Sequence, residues 1–345
     1  MKKAINRAIE KIVKDARGRH TAFVVGNTSG SFGNKRYYLI PIRETERLIY
    51  TGVIVRDVAA AAAVALIIDG MVDYVFVDAE KKIKERYYGN NDAGNIEREV
   101  RSKIFKSNII TYKGNDLTME AVDYILGQLV ADIGGATIAV VGCGNLGSKI
   151  ALKFVERGAA IRAYRPDQKK LKVIVDGLNE IKSKDTLSSI TAVESARDAC
   201  DGASIVIACA DKKGIVNERT LTGMDKSRPA ILIDVGKGCF TVSVIKNNAY
   251  TVYRADVSIA QKHIFSALLE TKLHYGQSMG RKVMEDEGIT LVSMGLLGKY
   301  GEIIVDNIEK PSRIVGIADG KGSLVKDMRR HKKKLDTLQG LINGS

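Results

Sequence analysis

The sequence predicts an α/β protein made of an N-terminal α/β domain and a doubly wound parallel domain that follows it. Short apolar strands alternate with helical patterns along most of the chain, which is the order that builds parallel sheets covered by helices. The strand predicted at residues 137–141 is wholly apolar, as is typical of a strand in the centre of such a sheet. The chain of 345 residues also has room for two domains of about 100–200 residues each.

The N-terminal part is predicted over residues 1–116. It begins with an amphipathic helix in which Ile5, Ile9 and Ile12 recur at helical spacing. Strands are predicted at 21–25, 37–42, 48–55 and 74–77, with an alanine-rich helix after the third strand. A helix at 81–88 and a loop at 89–94, marked by its glycines and asparagines, complete the pattern. The helix predicted at 117–131 lies within a linking segment, residues 117–135.

The second part is predicted over residues 136–273. The strand at 137–141 leads into a glycine-rich turn, a helix at 148–157 and a strand at 160–164, which together form a βαβ unit. Further strands at 204–208, 230–234 and 250–253 and a helix at 257–273 fit a doubly wound sheet. Residues 274–345 are predicted to be a C-terminal extension with a basic tail, in which 289–292 forms one more strand.

Composition excludes several classes of protein. The apolar fraction of 45% and the charged fraction of 27% are ordinary for a globular chain and exclude extensive disorder. The longest apolar run, residues 58–68, is much shorter than the roughly 20 residues that span a bilayer, and the N-terminus lacks the apolar core of a signal peptide. The four cysteines form no CxxC pair and the four histidines are scattered, so we expect reduced thiols, no metal site and a cytoplasmic protein.

The net charge of +14 favours anionic partners. Dinucleotide phosphates, an acidic substrate and nucleic acid are the alternatives. Much of the charge lies in the N-terminal helix and in residues 326–334, and charge runs at chain ends are usually solvated faces. The absence of Trp counts against a base-stacking surface. We therefore expect a small polar or anionic substrate rather than nucleic acid, and a homo-oligomer.

The glycine turn, residues 142–147, carries the most specific signal in the sequence. In a GxGxxG turn between a strand and a helix, Gly142 permits the tight turn, Gly144 lets a pyrophosphate approach the backbone, and Gly147 lets the helix pack on the strand. The helix N-terminus then offers free N–H groups and a positive dipole end to the phosphates. The turn predicts a Rossmann domain whose cofactor contacts are Gly142, Gly144, Asn145, Leu146 and Gly147. We expect Cys143 to pack beside the helix start, with a pKa lowered by the helix dipole.

The end of the second strand indicates which cofactor is preferred. Sites that prefer NAD place Asp or Glu there to hold the ribose hydroxyl, whereas this chain has Arg165, which can pair with a 2′-phosphate. The sequence therefore favours NADP, with NAD as the alternative if Asp167 holds the ribose and Arg165 is solvated. Cys209 and Ala210 after one strand, and Gly236 after the next, are also predicted to contact the cofactor.

Later motifs resemble those of methylenetetrahydrofolate dehydrogenases. Residues 203–210 (ASIVIACA), 214–216 (GIV) and 231–236 (ILIDVG) follow the order of that family's ADIVI, GxV and IDVG motifs. Residues 112–118 (YKGNDLT) occupy the place of the NTDG segment of shikimate dehydrogenases and the CTPxG segment of the folate enzymes, although neither motif is complete. The resemblance implies an N-terminal catalytic domain, a cofactor domain and an active site in the cleft between them, a layout that amino-acid dehydrogenases share.

Lys113 and Asp116 are the predicted catalytic residues. Hydride transfer at a carbon that bears O or N needs a nearby proton donor or acceptor, and a Lys–Asp pair at the start of a helix lining the cleft would serve. The alternative is that Asn115 or Asp116 caps a helix beginning at Leu117.

Three further residues are predicted to bind substrate. Ser29 and Ser31 could bind a carboxylate, and the alternative is a plain turn. Lys237, at the carboxyl end of a strand, could clamp a substrate anion, and the alternative is a surface lysine.

These observations predict an NADP-preferring oxidoreductase. It would transfer a hydride to or from a C–O or C–N carbon of a small polar or anionic substrate in an interdomain cleft. One alternative is an ornithine-cyclodeaminase-like or imine-reducing NAD(P) enzyme. The other is a redox-sensing Rossmann protein that binds nucleic acid through its basic tail, with the steep salt dependence that such binding shows.

Overall fold

The structure is a computed structural model that describes residues 1–28, 37–84, 93–225, 227, 229–236, 238–293 and 295–343. The chain forms two compact units, Met1–Ile264 and Phe265–Ser345. A five-stranded and a six-stranded sheet lie in the first unit, and a four-stranded sheet lies in the second. The predicted α/β fold class is confirmed, and the predicted domain boundaries at residues 116, 135 and 273 stay predictions.

The first sheet has the strand order β2-β3-β1-β4-β7. All neighbouring strands are parallel except β2 and β3, and the three buried isoleucines of α1 belong to the same apolar core as β1, β3 and β4. The elements of this region are α1 Lys2–Lys14, β1 His20–Asn27, β2 Tyr37–Glu44, β3 Leu48–Val55, α2 Val58–Ile68, β4 Tyr74–Asp78, β5 Ile83–Lys84, β6 Ala93–Gly94, α3 Ile96–Arg101, β7 Asn108–Tyr112 and α4 Gly114–Leu129.

Two elements of this region differ from the sequence prediction. The helix predicted at 81–88 is wrong at Ile83 and Lys84, which pair with Ala93 and Gly94 as a short antiparallel ladder; residues 85–92 lie outside the described residues. The strand β7 was not predicted, because its apolar residues are too few to show a clear period. Pairing with the buried strand β4 stabilises it.

The second sheet has the strand order β10-β9-β8-β11-β12-β13, and every pair of neighbours is parallel. This is the order of a doubly wound dinucleotide-binding sheet. Successive strands are added towards one edge from β8 to β10 and towards the other edge from β11 to β13, so the strand order reverses between β8 and β11. Ligands of such sheets bind outside the carboxyl ends of the strands at that point. The elements are β8 Thr137–Val141, α5 Asn145–Glu156, β9 Ala160–Tyr164, α6 Gln168–Ile181, β10 Ile190–Ala192, α7 Ala196–Cys200, β11 Ile205–Ala208, β12 Ala230–Asp234, α8 Val242–Lys246, β13 Tyr250–Arg254 and α9 Val257–Ser278.

The edge strand β10 was also absent from the prediction. A side chain of α6 holds its first residue, since the Asn179 amide donates to the Ile190 carbonyl at 2.8 Å and accepts the Ile190 N–H at 2.9 Å. Such a contact between residues 11 positions apart leaves no periodic signal in the sequence.

The second unit contains the strands β14 to β17, ordered β14-β15-β16-β17, and a C-terminal helix. Its apolar core includes Ile289, Ile303, Ile317 and Leu338, so the predicted extension is a folded unit. Arg329, Arg330 and the three lysines 332–334 of the basic tail are exposed. The strands are β14 Gly280–Met284, β15 Ile289–Ser293, β16 Ile303–Val305 and β17 Ile314–Ile317, followed by a 3₁₀ turn Arg329–His331 and α10 Lys332–Asn343. Within the described ranges, every helix is too short or too polar to cross a membrane.

Candidate cofactor site and the edge of the first sheet

The glycine turn lies at the reversal point of the second sheet, and its three glycines serve different purposes. Gly142 has φ +101°, and a Cβ added there would lie 2.4 Å from the backbone nitrogen of Ala210. At Gly147 a Cβ would lie 2.5 Å from the Gly142 carbonyl oxygen. At Gly144 a Cβ would meet no atom within 4 Å. Two glycines are therefore required by packing within the protein, and the third faces open space.

Helix α5 begins at this open space without a capping side chain. Gly144 is its N-cap residue and makes no side-chain cap, and within the described ranges no other side chain accepts a hydrogen bond from the first turn. The amides of Asn145 and Leu146 have no partner inside a helix at these positions, and the helix dipole adds partial positive charge there. In contrast, the side chains of Asp57, Asp167 and Ser195 cap α2, α6 and α7. The first turn of α5 can therefore bind phosphate oxygens.

Arg165 lies beside the same turn. Its guanidinium Nη1 donates to the Cys143 carbonyl at 3.4 Å, and its Nε is buried and has no acceptor among the described residues. An unpaired buried donor is costly, so an acceptor at this position would stabilise the arginine. Asp167 has another role, because its Oδ1 accepts the Lys170 N–H at 3.0 Å and caps α6.

The other predicted cofactor residues follow the neighbouring strands β11 and β12. The Cys209 N–H donates to the Val141 carbonyl at 2.8 Å, which holds the start of the loop against β8. Gly236 has φ +92°, and the turn around it is fixed by the buried Asp234, which accepts the Gly238 N–H at 3.0 Å. The Arg254 guanidinium pairs with the same carboxylate at 2.9 Å. Lys237, Ser29 and Ser31 lie outside the described residues.

The expected low pKa of Cys143 is wrong. The thiol is buried in the apolar core of the second sheet, and this burial raises its pKa to about 11, although the nearby Arg165 lowers it. Desolvation of the thiolate therefore outweighs the field of the helix N-terminus. Cys143 is a packing residue.

At the carboxyl edge of the first sheet, the buried carboxylate of Asp78 organises the chain. Its Oδ1 accepts the N–H groups of Glu80 at 2.9 Å and Gly114 at 3.0 Å, and its Oδ2 pairs with Lys82 Nζ at 3.2 Å. Asp78, at the end of β4, therefore caps the N-terminus of α4, which follows β7. The prediction that Asn115 or Asp116 caps a helix beginning at Leu117 is wrong, because α4 begins at Gly114.

The predicted catalytic residues Lys113 and Asp116 lie at the start of α4. Lys113 is the exposed N-cap residue, and Asp116 forms an ion pair with Lys149 of α5 at 3.5 Å. Sequence reasoning missed the pair of Lys82 with buried Asp78. The available signal was an acidic residue that ends an apolar strand and is followed four residues later by a lysine.

Helices α4 and α5 are joined by further ion pairs. Lys153 of α5 contacts Glu120 at 2.7 Å and Asp123 at 2.9 Å, and Arg157 also pairs with Asp123. Burial lowers the pKa of Lys153, but its hydrogen bonds to Glu120 and Asp123 outweigh this effect and raise the pKa overall. The helix that leaves the first sheet is therefore fixed to the helix that follows the glycine turn.

Comparisons with known proteins agree with this geometry. Residues 137–238 match the model of a family described as NADP oxidoreductase, coenzyme F420-dependent. That segment begins at β8 and ends just after β12. It forms a Rossmann domain of the NAD(P)-dependent dehydrogenase type.

One relative matches at the sequence level. Over 116 residues the chain is 31% identical to a phenylalanine dehydrogenase from Bacillus thermotolerans, a match that covers 33% of this chain and 28% of the relative. The chain thus spans little more than a quarter of that relative's length.

Solved structures are more distant. An ornithine carbamoyltransferase from Pyrococcus furiosus is 13% identical with a TM-score of 0.41, and the likeness covers 78% of this chain and 93% of that one. The dipicolinate synthase A chain from Bacillus subtilis is 12% identical with a TM-score of 0.36, covering 75% and 97%. Likenesses of this size carry no argument about activity.

Gly144→Ala tests whether the open space beside α5 holds a dinucleotide. The backbone at Gly144, with φ −105°, suits alanine, and the added methyl meets no protein atom, so we expect an unchanged melting temperature. A methyl group in the pyrophosphate position should weaken NADPH binding by at least about tenfold, or roughly 1.4 kcal/mol. Calorimetric titration and thermal denaturation measure the two quantities.

Gly177→Ala is the matched control, since Gly177 is an exposed glycine of α6 with no atom near its Cβ position. It should leave NADPH affinity unchanged. Equal affinities for Gly144→Ala and Gly177→Ala would show that the dinucleotide does not occupy this space.

Proposed function

We propose that this protein is an NADP-preferring oxidoreductase. It transfers a hydride between nicotinamide C4 and a C–O or C–N carbon of a small polar or anionic substrate, which it binds in a cleft between its two α/β domains. The observation that carries the proposal is the uncapped N-terminus of α5, which opens on free space at Gly144 where the strand order reverses. This combination serves to bind a pyrophosphate.

The preference for NADP rests on Arg165. Among the described residues, its buried Nε has no acceptor, and its Nη1 makes a long contact of 3.4 Å with a carbonyl of the glycine turn. A 2′-phosphate would provide two acceptors for the planar guanidinium, and such charge-assisted bonds are stronger than those between neutral groups. The acidic residue nearest in sequence, Asp167, already caps a helix and gives NAD no comparable advantage.

The net charge and the matched relative support the proposed class of substrate. The net charge of +14 raises the local concentration of anionic molecules. The relative in the sequence comparison is named for dehydrogenation of an amino acid, which is chemistry at a C–N carbon. Both observations support a small substrate with an anionic or polar group.

Proton transfer has two candidate sites at the edge of the first sheet. Lys113 and Asp116, the residues predicted from sequence, lie at the N-terminus of α4, where Asp116 also pairs with Lys149. Lys82 is the second candidate, because the buried carboxylate of Asp78 holds its ammonium group at 3.2 Å. A lysine positioned in this way can stabilise the charge that develops on a substrate heteroatom.

Titration of the protein with NADPH and NADH tests the proposed function, and Arg165→Asp tests the cofactor preference. We expect the wild type to bind NADPH more tightly. Loss of hydrogen bonds to a charged phosphate, worth about 1.5–3 kcal/mol, should weaken NADPH binding roughly ten- to hundredfold in Arg165→Asp, without a matching loss for NADH.

Lys172→Asp is the control, since it makes the same charge change at an exposed position of α6 and should leave the NADPH-to-NADH ratio unchanged. If Arg165→Asp has the wild-type ratio, Arg165 does not hold the 2′-phosphate. If the wild type binds neither dinucleotide, the proposed function itself is refuted.

Asp116→Asn and Lys149→Met together separate a catalytic role of Asp116 from its ion pair. A general acid or base contributes about 10²- to 10⁴-fold to turnover. If Asp116 transfers the proton, kcat falls by that order in Asp116→Asn and stays near the wild-type value in Lys149→Met. Steady-state kinetics and thermal denaturation of both variants provide the comparison. Equal, small changes in kcat in the two variants would assign Asp116 to the ion pair alone.

A further inference from the structure

Asn27 ends β1 with a buried and unsatisfied acceptor. Its side chain is 5% exposed, and its amide Nδ2 donates to the backbone carbonyl of Glu80 at 2.9 Å. This bond fixes the amide plane, so the position of the carbonyl oxygen Oδ1 is fixed as well. Among the described residues, no donor forms a hydrogen bond with Oδ1, although this atom is fully buried. Buried polar atoms normally form hydrogen bonds. Asn27 Oδ1 is therefore a candidate acceptor for a hydrogen bond from a ligand.

Glu80 contributes a second acceptor of the same kind. Its Oε1 accepts a hydrogen bond from the Asn115 amide Nδ2 at 3.1 Å, whereas its Oε2 is buried and has no donor in the part of the chain that the structure describes. Asn27 ends β1, Glu80 comes after β4 and Asn115 comes after β7, and these three strands are adjacent in the first sheet. The three residues therefore lie at the carboxyl edge of parallel strands, where open α/β sheets bind their ligands.

The charges nearby favour a cation. Lys82 is neutralised by Asp78, whose carboxylate lies 3.2 Å from its Nζ. Of Lys82, Asp78 and Glu80, only Glu80 has no charged partner among the described residues, so its charge is available to a ligand. A carboxylate oxygen gains most from a donor that is itself charged, since hydrogen bonds between ionised groups are shorter and stronger than those between neutral groups.

We propose that Glu80 and Asn27 form a subsite for a protonated amine of the substrate, with Glu80 Oε2 and Asn27 Oδ1 as the acceptors. An ammonium group has three N–H donors, enough for one to each of these oxygens, whereas a hydroxyl has only one. This inference rests on the proposed function and narrows its substrate class to amino compounds.

The test measures the melting temperature of the full chain in methylammonium chloride and in tetramethylammonium chloride at equal ionic strength. Methylammonium donates N–H bonds and tetramethylammonium cannot. We expect a saturable rise in the melting temperature with methylammonium alone, at roughly millimolar concentrations because the probe is so small. Equal effects of the two cations would overturn the proposal.

Two variants locate the site. Glu80→Gln keeps an acceptor for Asn115 but replaces the anionic oxygen with an NH₂ donor, so the methylammonium effect should weaken at least tenfold. Glu46→Gln removes an exposed carboxylate and should behave as the wild type. If Glu80→Gln does not fold, Glu80→Asp is the second variant. It keeps the negative charge but moves the carboxylate closer to the backbone, so it should also weaken the methylammonium effect. An unchanged methylammonium effect in the Glu80 variant that folds would overturn the assignment.

NADPH titration of the same proteins separates this inference from the proposed function. We expect Glu80→Gln to bind NADPH with the wild-type affinity, because Glu80 lies at the first sheet. A wild type that responds to methylammonium but does not bind NADPH would retain the amine subsite and refute the oxidoreductase. A wild type that binds NADPH and shows no selective methylammonium effect would refute only the subsite.

Discussion

The Rossmann half of this protein depends on the close approach of two backbone segments at the reversal point of its sheet. Gly142, directly after β8, lies so near the chain after β11 that a Cβ would be 2.4 Å from the Ala210 nitrogen. This approach directs the chain into α5 within three residues and places the first turn of that helix over the carboxyl ends of the strands. Ligands of such sheets bind at that position, so the uncapped amides and the buried Arg165 nitrogen lie where a bound phosphate could accept their hydrogen bonds.

Two helix N-termini in the first unit solve the same electrostatic problem in opposite ways. At α4, the buried carboxylate of Asp78 accepts a hydrogen bond from the Gly114 N–H, so a side chain of the protein caps the helix N-terminus. At α5 no described side chain does so, and this end is the proposed site for a phosphate of the cofactor. The ion pairs of Lys153 and Arg157 with α4 fix the two helices together. The capped N-terminus of α4 therefore stabilises the fold, whereas the uncapped N-terminus of α5 is the proposed phosphate site.

Much of the Rossmann fold could be predicted because its signals are local. An apolar strand, a glycine turn and an amphipathic helix follow one another within about twenty residues, and β8, β9 and β12 have the predicted bounds. The start of α4 could not be predicted, since its cap comes from Asp78, 36 residues earlier. The pKa of Cys143 was wrong for a related reason, because the local rule considers the helix N-terminus and omits burial in the core. The amine subsite depends on Asn27 and Glu80, which are 53 residues apart and share no motif.

A crystal structure of the protein with NADPH bound is the best test of the proposed cofactor site. We expect the pyrophosphate within hydrogen-bonding distance of the Asn145 and Leu146 amides, passing over Gly144, with the 2′-phosphate against the Arg165 guanidinium. A dinucleotide bound elsewhere on the chain, or a pyrophosphate away from the first turn of α5, would contradict the proposed site.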